Sequence, residues 1–137
     1  MQRYETFEHE ADIGIRGFGD TPEQAFAHAA EAMFSVMVDI STVAQLDQRT
    51  VRVSAGDQEQ LLIEWLNSLL TISDLERLVF SRFEVHIEGA ELRGDAWGEP
   101  FDRSKHEPKV EVKGATYHML SLRPFEGGYV AECVVDV

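Results

Sequence analysis

Apolar residues recur along this chain with two different periods, and the period switches where capping and turn residues stand. Phe26, Ala29, Ala30, Met33, Phe34 and Met37 follow one another at helical spacing and draw a single stripe down one face. The stripe is preceded by Thr21-Pro22-Glu23-Gln24: the threonine can cap, the proline suits the first helical position, and the glutamine stands where a capping box needs it. A second stripe of Leu61, Leu62, Trp65, Leu66, Leu69 and Leu70 follows Asp57, with Gln60 three residues after that cap. Elsewhere the period is two. Val51 and Val53 alternate with Arg52, and Phe83, Val85 and Ile87 alternate with Glu84 and His86. Gly89 turns the chain into a strand over Glu91 to Trp97, and Gly127-Gly128 joins strands over Tyr117 to Leu122 and Tyr129 to Val137.

Each helix has one apolar stripe, and such a stripe must be covered by something flat. The pattern therefore predicts an α+β fold, a two-layer sandwich of two helices packed on a mostly antiparallel β-sheet. Short connections impose the antiparallel pairing, while strand order is not set by a one-dimensional pattern. The chain has neither internal repeats nor low-complexity segments, so residues 1–137 are expected to form a single domain.

Charge narrows the function classes. Lys and Arg number 12 against 25 Asp and Glu, a formal charge of −13. That balance opposes direct nucleic-acid binding by the protein alone and favours cations or basic protein surfaces as partners. Cys133 is the only cysteine, which excludes an intramolecular disulfide and a cysteine zinc cluster. Its apolar neighbours predict a small buried strand residue. Residues 1 to 20 lack a continuous apolar run, and no other stretch approaches a membrane span, so the expected location is the cytoplasm.

Three places break the core pattern. In His9-Glu10-Ala11-Asp12-Ile13-Gly14-Ile15, Ile13 and Ile15 point one way and Asp12 with Gly14 the other, so Asp12 should stand clear of the core with space beside it. At Val134-Val135-Asp136-Val137 an apolar strand runs to a side-chain carboxylate and a terminal carboxylate, oxygen donors of the kind a hard cation such as calcium accepts. The third is the polar segment Asp102 to Lys109 and the strand after it. Lys105, Lys109 and Lys113, the only lysines, lie here with Arg103 and His106. A long polar loop of this kind is where binding residues concentrate, although a solvated charge run explains the composition equally well. A phosphate loop, a His-x-x-x-His pair and a nucleophile elbow are all missing. His28 falls off the helical stripe, towards solvent, and His118 alternates with Tyr117 and Met119 on a strand.

Taken together, His9 to Ile15, Gly17 to Thr21 with Glu23 to Phe26, Ser104-Lys105-His106, Glu111 to His118 and the terminal Val135-Asp136-Val137 resemble the archease family over essentially the whole chain. The resemblance implies a non-enzymatic accessory protein that activates the GTP-dependent tRNA-splicing RNA ligase of the RtcB type. It promotes the ligase's guanylylation and multiple turnover in tRNA splicing and RNA repair, and GTP is used by the ligase. The same resemblance implies a divalent-metal site, calcium in the family, formed by Asp12, Asp136 and Val137. It makes Lys113, with Asp12, the partner-activating pair, and leaves His9, Asp39, Lys105, His106 and His118 as secondary candidates. Glu10 stands where the family commonly has Thr, and Gly114 where Ala is usual. Two other classes stay open: a chaperone-like RNA-processing binding module, and a metal-dependent enzyme acting on nucleotides or RNA.

Overall fold

A computed structural model describes residues 2–137 of the chain. Strands β1 (Tyr4–His9) and β2 (Asp12–Gly19) precede helix α1 (Pro22–Met37). A 3-10 turn (Ile40–Thr42) then leads to β3 (Asp47–Ser54), helix α2 (Gln58–Glu76), β4 (Leu78–Glu88) and β5 (Glu91–Pro100). The one-turn helix α3 (Arg103–His106) is followed by β6 (Gly114–Ala115), β7 (Ser121–Phe125) and β8 (Gly128–Asp136). The α+β sandwich expected from the pattern is what forms, and every strand pair is antiparallel. The strands divide between two sheets. One runs β1-β2-β8 with β6 and β7 following one another along the far edge of β8, and the other runs β3-β5-β4.

Both helix starts obey their local chemistry. Thr21 accepts the N–H of Gln24, and Asp57 accepts the N–H of Gln60 at 2.8 Å. Each glutamine reaches back one residue further than the cap, to the N–H of Asp20 or Gly56. α1 lies so close to β2 that a Cβ on Gly17 would fall 2.2 Å from the carbonyl oxygen of Ala25 and the amide nitrogen of Ala29, which explains an alanine-rich contact stripe. Residues from both sheets and both long helices share one core, including Ile15, Phe26, Phe34, Trp65, Phe80, Phe83 and Cys133. The Trp65 indole N–H is satisfied by the carbonyl of Phe26 at 3.1 Å. Cys133 is fully buried, and that burial, with the nearby Glu132 charge, pushes its thiol up to about 12.

Three local expectations need correction. Residues 117–119 form a turn, with Met119 at φ 55°, and β7 begins only at Ser121. The chain must step sideways between two pairings on one edge of β8, and the Thr116 hydroxyl and N–H, both bonded to the Val134 carbonyl, anchor the start of that step. The 102–109 segment opens with a helical turn, since Asp102 caps α3 through the Ser104 N–H at 3.0 Å, and residues 107–113 then stay irregular, so pairing resumes only at β6 instead of directly after Lys109. His28 is half-buried, its Nδ1 against the Phe18 carbonyl and its ring near Glu31. No helix among the described residues is long and apolar enough to cross a membrane.

Candidate functional site

Strand register assembles the first two places singled out above and the end of the third. Ile13 lies opposite Val135, so Asp12 comes level with Asp136, and the Val137 N–H donates to Asp12 Oδ1 at 3.4 Å. On the other flank Gly114 lies opposite Asp136, and the Lys113 N–H donates to the Asp136 carbonyl at 2.7 Å. Asp12, Asp136, Val137 and Lys113 thus share one end of three adjacent strands, although Asp12 and Asp136 are more than a hundred residues apart in sequence. His9 pairs with Asp12 across the β1–β2 hairpin, and the 117–119 turn brings the His118 ring to 4.6 Å from that of His9. Asp136 and Lys113 are exposed, Asp12 is half-buried, and Lys113 makes no ion pair among the described residues.

The space expected beside Asp12 is not open. A Cβ on Gly14 would fall 2.0 Å from the tip of the Phe7 ring, which occupies the glycine's place. Arg16 covers that ring at 4.1 Å and pairs with the buried Glu132. The space over Gly14, next along the strand from Asp12, is therefore filled by Phe7.

Side chains alone do not make a metal centre: among the described residues no group of three or more His, Cys, Asp or Glu is arranged to hold an ion. The donors at the tip are Asp12, Asp136 and backbone oxygens, without a thiol. That donor set fits a hard, partly hydrated divalent cation.

Asp39, Lys105 and His106 lie apart from this tip, in a clamp that holds the segment leading to Lys113. His106 is fully buried: the Asp102 N–H donates to its Nδ1 at 2.9 Å, which leaves Nε2 to donate to Glu99 at 2.9 Å. Glu99 also accepts the Ala44 N–H and the Lys105 ammonium. Those bonds, the Ala44 amide first, then Lys105 and His106, hold its carboxyl down at about 2. The Asp39 N–H donates to the His106 carbonyl at 3.1 Å, while its side chain caps the 3-10 turn through Ser41. The two bonds from Ser41 keep that carboxyl below the usual range. An acid near the end of α1 opposes the helix dipole, but Lys109 supplies the complementary cation by donating its Nζ to the Ser35 carbonyl at 3.2 Å. The Lys109 and Val110 N–H groups take the otherwise unpaired carbonyls of Met37 and Val36.

Two residues that support the site carry no sequence signal. Glu99 precedes a proline at a strand end, and only folding surrounds it with donors. Asn67, on the polar side of α2, accepts the Ala115 N–H at 2.8 Å and donates to the Ala115 carbonyl at 3.2 Å. It thereby completes β6, the strand that sets Lys113 against Asp136.

Comparison with known proteins places the whole chain in one family. Residues 4–137 match the model of the Archease protein family (MTH1598/TM1083). The chain is 46% identical over 142 residues to Protein archease of Pyrococcus abyssi and 44% identical over 139 residues to that of Sulfurisphaera tokodaii, each alignment covering all of both chains. The solution structure of Methanobacterium thermoautotrophicum protein 1598 superposes with a TM-score of 0.87 at 37% identity, covering all of both chains. A Thermotoga maritima crystal structure, described as an archease and possible chaperone, shares the fold with a TM-score of 0.64 at 18% identity over 97% of this chain and 96% of its own. On the family model and these full-length identities, the chain belongs to the archease family.

Proposed function

We propose that this protein is an accessory factor that activates a GTP-dependent RNA ligase of the RtcB type, acting in the cytoplasm without catalysing the ligation itself. The observation that supports this reading is the register-imposed meeting of Asp12, Asp136 and the unpaired Lys113 at one exposed strand end. The backbone pairing sets two carboxylates at the sheet end, and Lys113, hydrogen-bonded there through its main chain, carries its ammonium into the adjoining groove beside α2. The carboxylates suit a cation or a cationic partner group, and Lys113 suits a phosphate or carboxylate of the partner. Docking of this tip on the ligase biases the ligase towards its guanylylation-competent state, which requires tighter binding to that state than to others. Asp12, Asp136 and Val137 would hold a divalent cation, calcium being the expected one, whose chemistry there is charge neutralisation and bridging by oxygen ligands. The clamp of Glu99, His106 and Lys105 keeps the approach to Lys113 in place.

The test is guanylylation of an RtcB-type ligase with labelled GTP and excess RNA, with and without this protein. Stimulation by the native chain, lost in both Asp12→Ala and Lys113→Ala while their folded spectra are retained, supports the reading. Absence of stimulation with an active ligase refutes it. The Thermotoga protein's description motivates one other reading, a chaperone-like binding module, for which capture of many RNA-processing proteins at similar affinity is the signature. Hydrolysis of GTP or RNA by the protein alone would point instead to an enzyme.

A further inference from the structure

Cations are scarce in this chain, and their distribution is uneven. Seven of the twelve lysines and arginines are paired with carboxylates. With 25 acids present, the rest would be expected to find partners as readily. Yet Arg52, Arg77, Arg103, Lys109 and Lys113 make no ion pair among the described residues, and all but Arg52 line a single groove of about 900 Å³ between α2 and the 101–113 segment. Asp74 and Glu111 also line it, without pairing to these cations.

Two further features mark the groove. Arg77 ends α2 with φ 54° and ψ 47°, the left-handed conformation usually given to glycine or asparagine. An arginine held there keeps a guanidinium at the groove despite the steric cost to its backbone. Its carbonyl accepts the Phe101 N–H at 2.8 Å, which joins the two walls. Phe101 and Val110, both large apolar residues, remain 40% and 42% exposed on the same lining.

We infer that this groove binds the phosphodiester backbone of a short single-stranded nucleic acid, with Arg77, Arg103 and Lys109 on phosphates and Phe101 under a base. Unpaired cations interleaved with an exposed aromatic ring are the elements of a single-strand groove, since bases stack and phosphates take guanidinium and ammonium donors. An acidic polypeptide without aromatic residues would use the cations but would leave the Phe101 face without a stacking partner. The chain's overall negative charge does not forbid this contact. At physiological ionic strength fields are screened within about 8 Å, so the groove's own cations dominate at contact. The binding is accordingly weak and strongly salt-dependent. It concerns a surface distinct from the acidic strand end, although Lys113 belongs to both, and it stands or falls independently of ligase activation.

The experiment is fluorescence anisotropy of a labelled oligouridylate at low and at physiological ionic strength, with amide-shift mapping on the unmodified protein. The expected result is binding that weakens with salt, with a log–log slope of about −2 to −3 for three to four phosphates. Amide shifts should fall on 101–113 and the end of α2. Arg103→Glu and Lys109→Glu should each weaken binding by about an order of magnitude, while Arg52→Glu leaves it within about twofold. The inference is overturned if the RNA does not bind at low ionic strength, if the shifts map elsewhere, or if Arg52→Glu weakens binding as much as the groove variants. It is also overturned if oligoglutamate of equal length binds as tightly, which would make the groove a site for acidic polypeptides.

Discussion

Replacing Asn67 with alanine should damage function more than it damages the fold. The side chain makes two hydrogen bonds to one residue, accepting the Ala115 N–H at 2.8 Å and donating to its carbonyl at 3.2 Å. Ala115 is only 8% exposed, so both of its backbone groups would be left largely without solvent. Two neutral hydrogen bonds at about 1 kcal/mol each put the loss near 2 kcal/mol, with a further penalty if water cannot reach the freed groups. Because β6 is two residues long and lies at the sheet edge, the loss should appear first as local opening. An opening cost lowered by about 2 kcal/mol speeds exchange roughly thirtyfold. Hydrogen exchange of the Ala115 and Lys113 amides is the direct assay, alongside urea denaturation and stimulation of ligase guanylylation. Lys113 would lose its fixed place against Asp136, and stimulation should fall towards that of Lys113→Ala. If exchange at Ala115 and the urea midpoint both match the native protein, Asn67 does not hold β6 and the reasoning fails.

Three other outcomes follow from particular contacts. At Gly114→Ala the new methyl would meet only Asn67 Oδ1, at 3.6 Å, and φ is not positive there, so thermal unfolding should show a gain of about 0.4–1 kcal/mol. A loss would mean that this backbone position requires glycine. Gly14→Ala should instead destabilise by about 1–3 kcal/mol, because its Cβ would collide with the Phe7 ring at 2.0 Å and displace it from under Arg16; an unchanged melting temperature would refute that packing. Glu99 has a folded-state carboxyl near 2 against an ordinary value of 4.5, so its contribution to stability is complete above pH 4.5 and is lost as pH falls towards 2. Urea midpoints measured across that window should fall more steeply for the native protein than for Glu99→Gln, and parallel curves would show that the clamp is not what titrates.

The two helices, their caps and their buried stripes were legible in the sequence because they depend on residues within four positions of one another. The turns at Gly89 and Gly127 and the burial of Cys133 were legible for a similar reason, since a β-strand alternates its faces locally. Register is different. Nothing near Asp12 specifies that Ile13 will face Val135, and a slip of one residue would carry Asp12 to the other face of the sheet. The meeting of Asp12, Asp136 and Lys113 therefore depends on pairings across the whole fold, although each residue stands out of its own local pattern. His106 shows the opposite case. By composition it belonged with the exposed polar segment, but the Asp102 N–H on one ring nitrogen and Glu99, itself held by the Ala44 N–H, on the other made it a buried pin. Burial and ion pairing at such a position depend on groups that other elements deliver. That is also why the convergence of four unpaired cations on one groove, against a formal charge of −13, became visible only once the chain was folded.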